Sequence, residues 1–243
     1  MLEEVDAGRY GKIIKSIQLS ISSNSNSPER PLVMFEELLL GLFIAAGTIA
    51  FAMSGALKGM RHGLDMFGIT VLGFVTALGG GLIRDSLLHQ TPVAFIDIMP
   101  SLCAMIGCII AMLSGRIPIR IVTPLTKPES TAFLIIDAIG LAVFTVLGAR
   151  MGVESGLNLF GIVLIAAITG VGGSVIRDIL VMEVPLILRA DFYATATILG
   201  GIVFALLYWL SWSESVILPI VFGVTLLLRL VAIWRRWQLP KFD

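Results

Sequence analysis

From about residue 37 the chain runs as long apolar stretches divided by short polar breaks. The stretches approach 20 residues, the length a helix needs to cross about 30 Å of hydrocarbon. Seven are expected, over 37–57, 66–88, 98–113, 131–149, 159–182, 192–210 and 216–233. Residues 1–33 break this pattern: they are polar, with a Ser/Asn run at 22–27 and then Pro28, and lack the apolar core of a signal peptide. They read either as a disordered tail or as residues upstream of a natural start at Met34. The membrane domain is then 34–237, followed by a short cytoplasmic end at 238–243.

The pattern also repeats. Gly-Gly-Gly-Leu-Ile-Arg-Asp at 79–85 returns 93 positions later as Gly-Gly-Ser-Val-Ile-Arg-Asp at 172–178. Gly47, Phe51, Gly55, Gly59, Gly63 and Pro92 return at the same offset as Gly140, Phe144, Gly148, Gly152, Gly156 and Pro185. Self-similarity at a fixed period marks duplicated structural units. Spans one to three form repeat one (about 37–114), spans four to six form repeat two (about 131–210), and the span at 216–233 stands alone. A unit with an odd number of spans reverses direction in its second copy. The expected fold is therefore an all-α polytopic membrane protein, two inverted three-helix repeats plus a seventh transmembrane helix.

Basic residues set the orientation. Lys58 and Arg61 follow span one, Arg116, Arg120 and Lys127 follow span three, Arg189 follows span five, and Arg235, Arg236 and Lys241 end the chain. The loops after spans two and six carry no Lys or Arg, and only Arg150 and the tail (Arg9, Lys12, Lys15, Arg30) run against the trend. The N-terminus is expected outside and the C-terminus in the cytoplasm, with Trp209, Trp212, Trp234 and Trp237 as interfacial anchors. Lys58, Arg61 and His62 are read as markers of the cytoplasmic face and no more.

Composition agrees: 57% of residues are hydrophobic and 14% charged, against about 25% charged in a soluble domain. The 17 basic and 17 acidic residues balance, which gives no reason to invoke nucleic acid. Cys103 and Cys108 stand five positions apart on one helix, pointing away from each other, so no disulfide is expected between them. His62 and His89 lack metal-ligand spacing, and no catalytic constellation appears. No enzyme, cofactor or resident metal is expected.

Three features carry chemistry. Gly79, Gly80 and Gly81, matched by Gly172, Gly173 and Ser174, weaken a helix by roughly 1 kcal/mol per glycine. They either kink and break the second and fifth spans, freeing carbonyls beside a hydrated path, or let helices pack closely; matched positions in both repeats favour the break. Arg84–Asp85 and Arg177–Asp178 are charges within spans, which cost at least about 2.5 kcal/mol at mid-membrane and therefore face a cavity or a partner. Arg84 should lie nearer the outer face and Arg177 nearer the cytoplasm. Either two cross-repeat pairs form, Arg84 with Asp178 and Arg177 with Asp85, or each charge caps a neighbouring kink; the alternative to a pathway role is a structural ion-pair lock with no contact to the permeant species. Asp137 is matched by Ile44, and this lone acid is a cation ligand, a gate, or the partner of a basic residue. Thr76 and Thr169, one turn before the glycines, either line a pathway or bond back to their own helices. Pro92 and Pro185 are read as helix stops.

With Gly-Thr-Ile-Ala-Phe-Ala-Met-Ser-Gly-Ala at 47–56 and the motifs at 79–85 and 172–178, the chain resembles a bacterial membrane family labelled a glycine-transporter domain and related to the trimeric intracellular cation (TRIC) channels. The likeness spans about 34–237. It implies a seven-helix protomer, a homotrimer in lipid, and a pathway within each protomer, bounded by kinked second and fifth helices, that conducts monovalent cations, chiefly K⁺. Ser174 departs from a pure glycine triplet. The animal channels' added charged motif on the second helix is not evident, so their calcium and lipid regulation does not carry over. The expected function is a homotrimeric K⁺ channel of the cytoplasmic (inner) membrane, with Asp85, Asp137 and Asp178 favouring cations. The alternative is an alternating-access carrier of a small solute such as glycine.

Overall fold

The computed structural model describes residues 30–116, 131–189 and 192–235. Among them there is no strand. The helices are α1 (Arg30–Arg61), α2 (Met66–Leu87), α3 (Val93–Ile96), α4 (Met99–Arg116), α5 (Thr131–Glu154), α6 (Leu159–Leu180), α7 (Leu186–Arg189), α8 (Ala194–Trp209) and α9 (Glu214–Arg235). Leu40–Arg61, α2, α5, α6 and α9 are long and apolar enough to cross a membrane, while Met99–Ser114 and α8 are shorter apolar helices. The first helix begins before Met34, inside the expected tail, and continues past residue 57 through Arg61. Arg120, Lys127, Arg236, Trp237, Lys241 and the rest of the tail lie outside the described residues.

Helix ends follow local chemistry, twice over. Asp65 accepts from Gly68 N at 2.7 Å to start α2, and its offset partner Asn158 accepts from Gly161 N at 2.9 Å to start α6. The turns before them place Gly63 and Gly156 at φ 69° and 70°, where a side chain would be strained. Beyond the last turns of α2 and α6, His89 and Met182 take the left-handed conformation at φ 54° and 56°. The prolines are not the stops expected. Both helices have already ended at Leu87 and Leu180, and Pro92 and Pro185 instead precede the short helices α3 and α7, a position that suits a residue with fixed φ and no N–H.

Helices α1, α2 and α4 pack together, as do α5, α6 and α8. The two groups meet through α2 against α6 and α1 against α5, and α9 covers α5 and α8. At the α1–α5 contact, Phe51 stacks on its own offset partner Phe144, with centroids 5.2 Å apart and planes within 13°. Gly140 leaves room for Phe51, and Gly47 for Val143. Leu102, Met105, Ile106, Ile109 and Ile110 stay exposed along α4, and Trp209, Trp212 and Trp234 stay exposed at helix ends. An apolar exterior with aromatic ends suits a lipid surround.

The glycine runs do not break their helices. Both α2 and α6 continue without interruption through 79–81 and 172–174. The runs bring backbones together instead: a Cβ on Gly80 would collide with the carbonyl oxygen of Thr169, and one on Gly173 with that of Thr76. The closeness is supplied by missing side chains, so no helical hydrogen bond need be given up. The Gly55/Gly59 and Gly148/Gly152 series likewise seats α1 on α2 and α5 on α6.

Candidate functional site: two arginine–aspartate clamps and a one-sided cavity

Arg84 and Arg177 lie in the last turns of α2 and α6. Each arginine binds the aspartate beside it. Arg84 donates through Nε to Asp85 Oδ1 at 2.7 Å, and Arg177 through Nε to Asp178 Oδ1 at 2.8 Å. The other carboxylate oxygen of each aspartate accepts a backbone N–H eight residues on: Val93 N at 3.0 Å for Asp85 and Leu186 N at 2.9 Å for Asp178. Each clamp therefore ties the end of a long helix to the start of a short one. The cross-repeat pairs Arg84–Asp178 and Arg177–Asp85 do not form. The reach to the neighbouring aspartate is short, and the freed carboxylate edge satisfies a backbone donor that would otherwise be left open.

Around the clamps the two copies diverge. Arg177 is fully buried and also donates through Nη1 to Asp137 Oδ1 at 2.6 Å and to Ser54 Oγ. Ser54 donates to the same Asp137 oxygen at 2.9 Å, and Tyr193 OH donates to Asp137 Oδ2 at 2.7 Å. The Tyr193 hydroxyl is also 2.9 Å from Ser174 Oγ. Asp137 is thus committed to a basic partner and two hydroxyls. Lys58 Nζ lies 2.6 Å from Asp178 Oδ1 and 3.0 Å from Glu183 Oε2, and His62 Nε2 is 3.0 Å from Glu183 Oε1. Lys58 is only 3% exposed, so it does not simply mark the membrane face. Arg61 stacks over the Phe133 ring at 4.4 Å.

Arg84 instead lines a cavity of about 350 Å³ framed by α1, α2, α4 and α5, whose walls include Ile44, Phe144, Leu147, Asp97 and Arg150. Arg150 is held by Glu154 at 3.2 Å and Glu214 at 3.0 Å. Thr76 and Thr169 do not reach this space: both are buried and bond back to Leu72 O and Ile165 O, each at 2.6 Å. Gly81 faces the cavity, since its nearest neighbour in the Cβ direction is Arg84 Nη2 at 3.8 Å. Among the described residues no group of acids, histidines and cysteines is arranged to hold a metal.

The duplicated clamp, the crossing of α2 and α6, and the helix order can be set beside known proteins. The profile of the family described as Glycine transporter matches residues 42–116 and 134–209. The inner membrane protein YadS of Escherichia coli (strain K12), of the UPF0126 group, is 39% identical over 198 residues, which is 81% of this chain and 92% of that protein. YvgT of Bacillus subtilis (strain 168) is 37% identical over 200 residues, covering 82% and 95%. A chain solved in work on conductance through TRIC cation channels superposes with a TM-score of 0.73 at 40% identity, over 83% of this chain and 96% of that one. The TRIC orthologue of Rhodobacter sphaeroides gives 0.71 at 28% identity, over 82% and 99%. The chain belongs to the bacterial TRIC-like family.

Several residues of this TRIC-like site escaped the sequence reading. Ser54, Lys58 and Arg61 form one stripe along α1, three or four residues apart, a signal that was present. Arg229 also had a signal, as a single charge inside an apolar run. It is buried on α9, with its guanidinium carbon 4.7 Å from the Tyr193 ring centroid, a cation–π contact. Glu183 had none, because it lies between the expected spans, and Tyr193, inside the expected span 192–210, gave no sign of which helices it would meet.

Proposed function

We propose that this TRIC-like chain is a cation channel of the cytoplasmic membrane, selective for monovalent cations such as K⁺. Seven helices of each protomer cross the membrane as two inverted three-helix repeats plus α9, with the N-terminus outside. Three protomers assemble, each with its own pathway, and the protein is not an enzyme. The observation that carries this reading is the likeness to TRIC cation channels at 40% identity with a TM-score of 0.73.

The side chains supply a route and a block. The Arg84 cavity is the outer vestibule. Phe144 lines it and stacks on Phe51, which is buried. One turn further along α1 lies Ser54, the start of the Arg177–Asp137–Lys58 network near the cytoplasmic end. An apolar pair in series with an ion-pair network is a closed pathway, because narrow apolar constrictions shed water. Opening separates Phe51 from Phe144 and releases Lys58 from Asp178, leaving Asp137, Asp178 and Glu183 to attract cations. Recording from the purified protein in planar bilayers under a KCl gradient tests this, with unitary currents reversing near the K⁺ potential as the expected result.

A second reading is favoured by the one-sided cavity and the family's description as a glycine transporter. A cavity beside Arg84, at the place that polar side chains fill beside Arg177, suits an alternating-access carrier. Saturable glycine uptake without unitary currents would decide for the carrier.

A further inference from the structure

The 93-residue offset pairs the cavity wall with the Arg177 network position by position. Ile44 corresponds to Asp137, Gly81 to Ser174 and Pro100 to Tyr193, while Leu147 and Met151 correspond to Ser54 and Lys58. The first-named five all line the cavity. Their five counterparts are all hydrogen-bonded or ion-paired in the network around Arg177 and Asp178. Polar side chains from both halves thus fill, beside Arg177, the place that is left as a cavity beside Arg84.

The filled copy specifies the chemistry. Arg177 has two carboxylate partners, Asp178 beside it and Asp137 across the helix contact. Arg84 has the equivalent of the first, Asp85, whose Oδ1 takes both Nε and Nη2 at 2.7 Å. Its Nη1 takes no part in that pair, and the position that would supply the second carboxylate is Ile44. We propose that the Arg84 cavity binds a small monocarboxylate with a short apolar body. The carboxylate occupies the place that Asp137 fills for Arg177, and the body packs against Ile44, Phe144, Leu147 and Met99. Charge-assisted pairing with a guanidinium provides the anchor, and about 350 Å³ falls at the small end of ligand pockets. A dianion fits poorly, because Asp85 and Asp97 also border the space and Arg84 has a single guanidinium nitrogen outside its pair with Asp85. Because Asp85 already balances Arg84, the bound ligand would leave the vestibule one charge more negative. The site goes beyond the channel reading and is tested without measuring current.

The test is thermal unfolding of the purified full-length protein titrated with sodium butyrate, against sodium chloride at equal ionic strength and pH, with saturation-transfer NMR on butyrate as a direct readout of contact. The expected result is a saturable rise in Tm and transfer to the butyrate methyl protons, with neither effect from butylammonium chloride. Ile44→Asp places a resident carboxylate beside Arg84, and Gly81→Leu fills the cavity from α2. Each should weaken the apparent affinity about tenfold or more while still unfolding cooperatively. A wild-type response no greater than that to chloride would overturn the site, as would an undiminished response in whichever of the two variants folds.

Discussion

Lys58 on α1 and Asp178 on α6 are joined at 2.6 Å, 120 residues apart in sequence and almost wholly withdrawn from solvent. The clamp aspartate of the second copy therefore serves its own arginine, a backbone N–H and a lysine from the other half of the protein. Lys58→Met removes the lysine charge and leaves Asp178 and Glu183 facing each other. Breaking one side of a buried pair typically costs about 3–5 kcal/mol, so the variant should melt well below the wild type. If the pair is also the cytoplasmic lock, open probability in bilayers should rise. A variant with wild-type melting and wild-type currents would remove Lys58 from both roles.

The glycines of the two matched runs should behave differently from one another. Gly80→Ala and Gly173→Ala drive a methyl group into the carbonyls of Thr169 and Thr76, and overpacking of this kind costs about 1–3 kcal/mol. Gly81→Ala meets nothing closer than Arg84 Nη2 at 3.8 Å and should be neutral or slightly stabilising through helix propensity. Thermal melting of the three variants side by side checks this. Equal losses at all three would mean that the runs are needed for bending and not for close contact.

Tyr193→Phe keeps the ring under Arg229 but removes the hydroxyl that meets Asp137 at 2.7 Å and Ser174 at 2.9 Å. Stability should fall by about 1–3 kcal/mol for the buried acceptor left open. Tyr193→Leu, which also loses the cation–π contact, should fall further. Denaturant titration of both variants separates hydroxyl from ring.

Phe51→Ala tests the apolar block. Removing a fully buried phenylalanine costs about 3–5 kcal/mol, and the space opens beside Phe144, at the cavity wall. The expected electrical result is a leak: longer openings or raised basal K⁺ flux into liposomes. Flux equal to wild type in a protein that still folds would place the constriction elsewhere.

How far the sequence foretold these relationships depended on whether both partners lay on regular helices. The repeat, the apolar helices and the clamp residues were legible because apolar run length and a fixed offset are local signals. Helix continuity through Gly79–Gly81 was misjudged because a glycine run lowers intrinsic propensity yet permits backbone contact, and only the neighbouring helix decides between these outcomes. A basic partner for Asp137 was among the readings, but the choice of Arg177 depends on the crossing of α5 and α6, which no single-helix pattern encodes. Tyr193 was invisible for the same reason: its partners Asp137 and Ser174 lie on α5 and α6.

The chain order of the Arg177 network bears on how the protein is made. Ser54, Lys58 and Asp137 all precede Arg177, and Asp178 follows it directly. Synthesis proceeds from the N-terminus, so when α6 leaves the ribosome its counter-charges have already been delivered to the bilayer on α1 and α5. Arg84 has no such reception waiting and brings its only carboxylate, Asp85, along with it. The helix bearing Arg84 can enter the membrane self-neutralised, whereas the helix bearing Arg177 can draw on partners already there, and Tyr193 arrives last to close over the finished assembly.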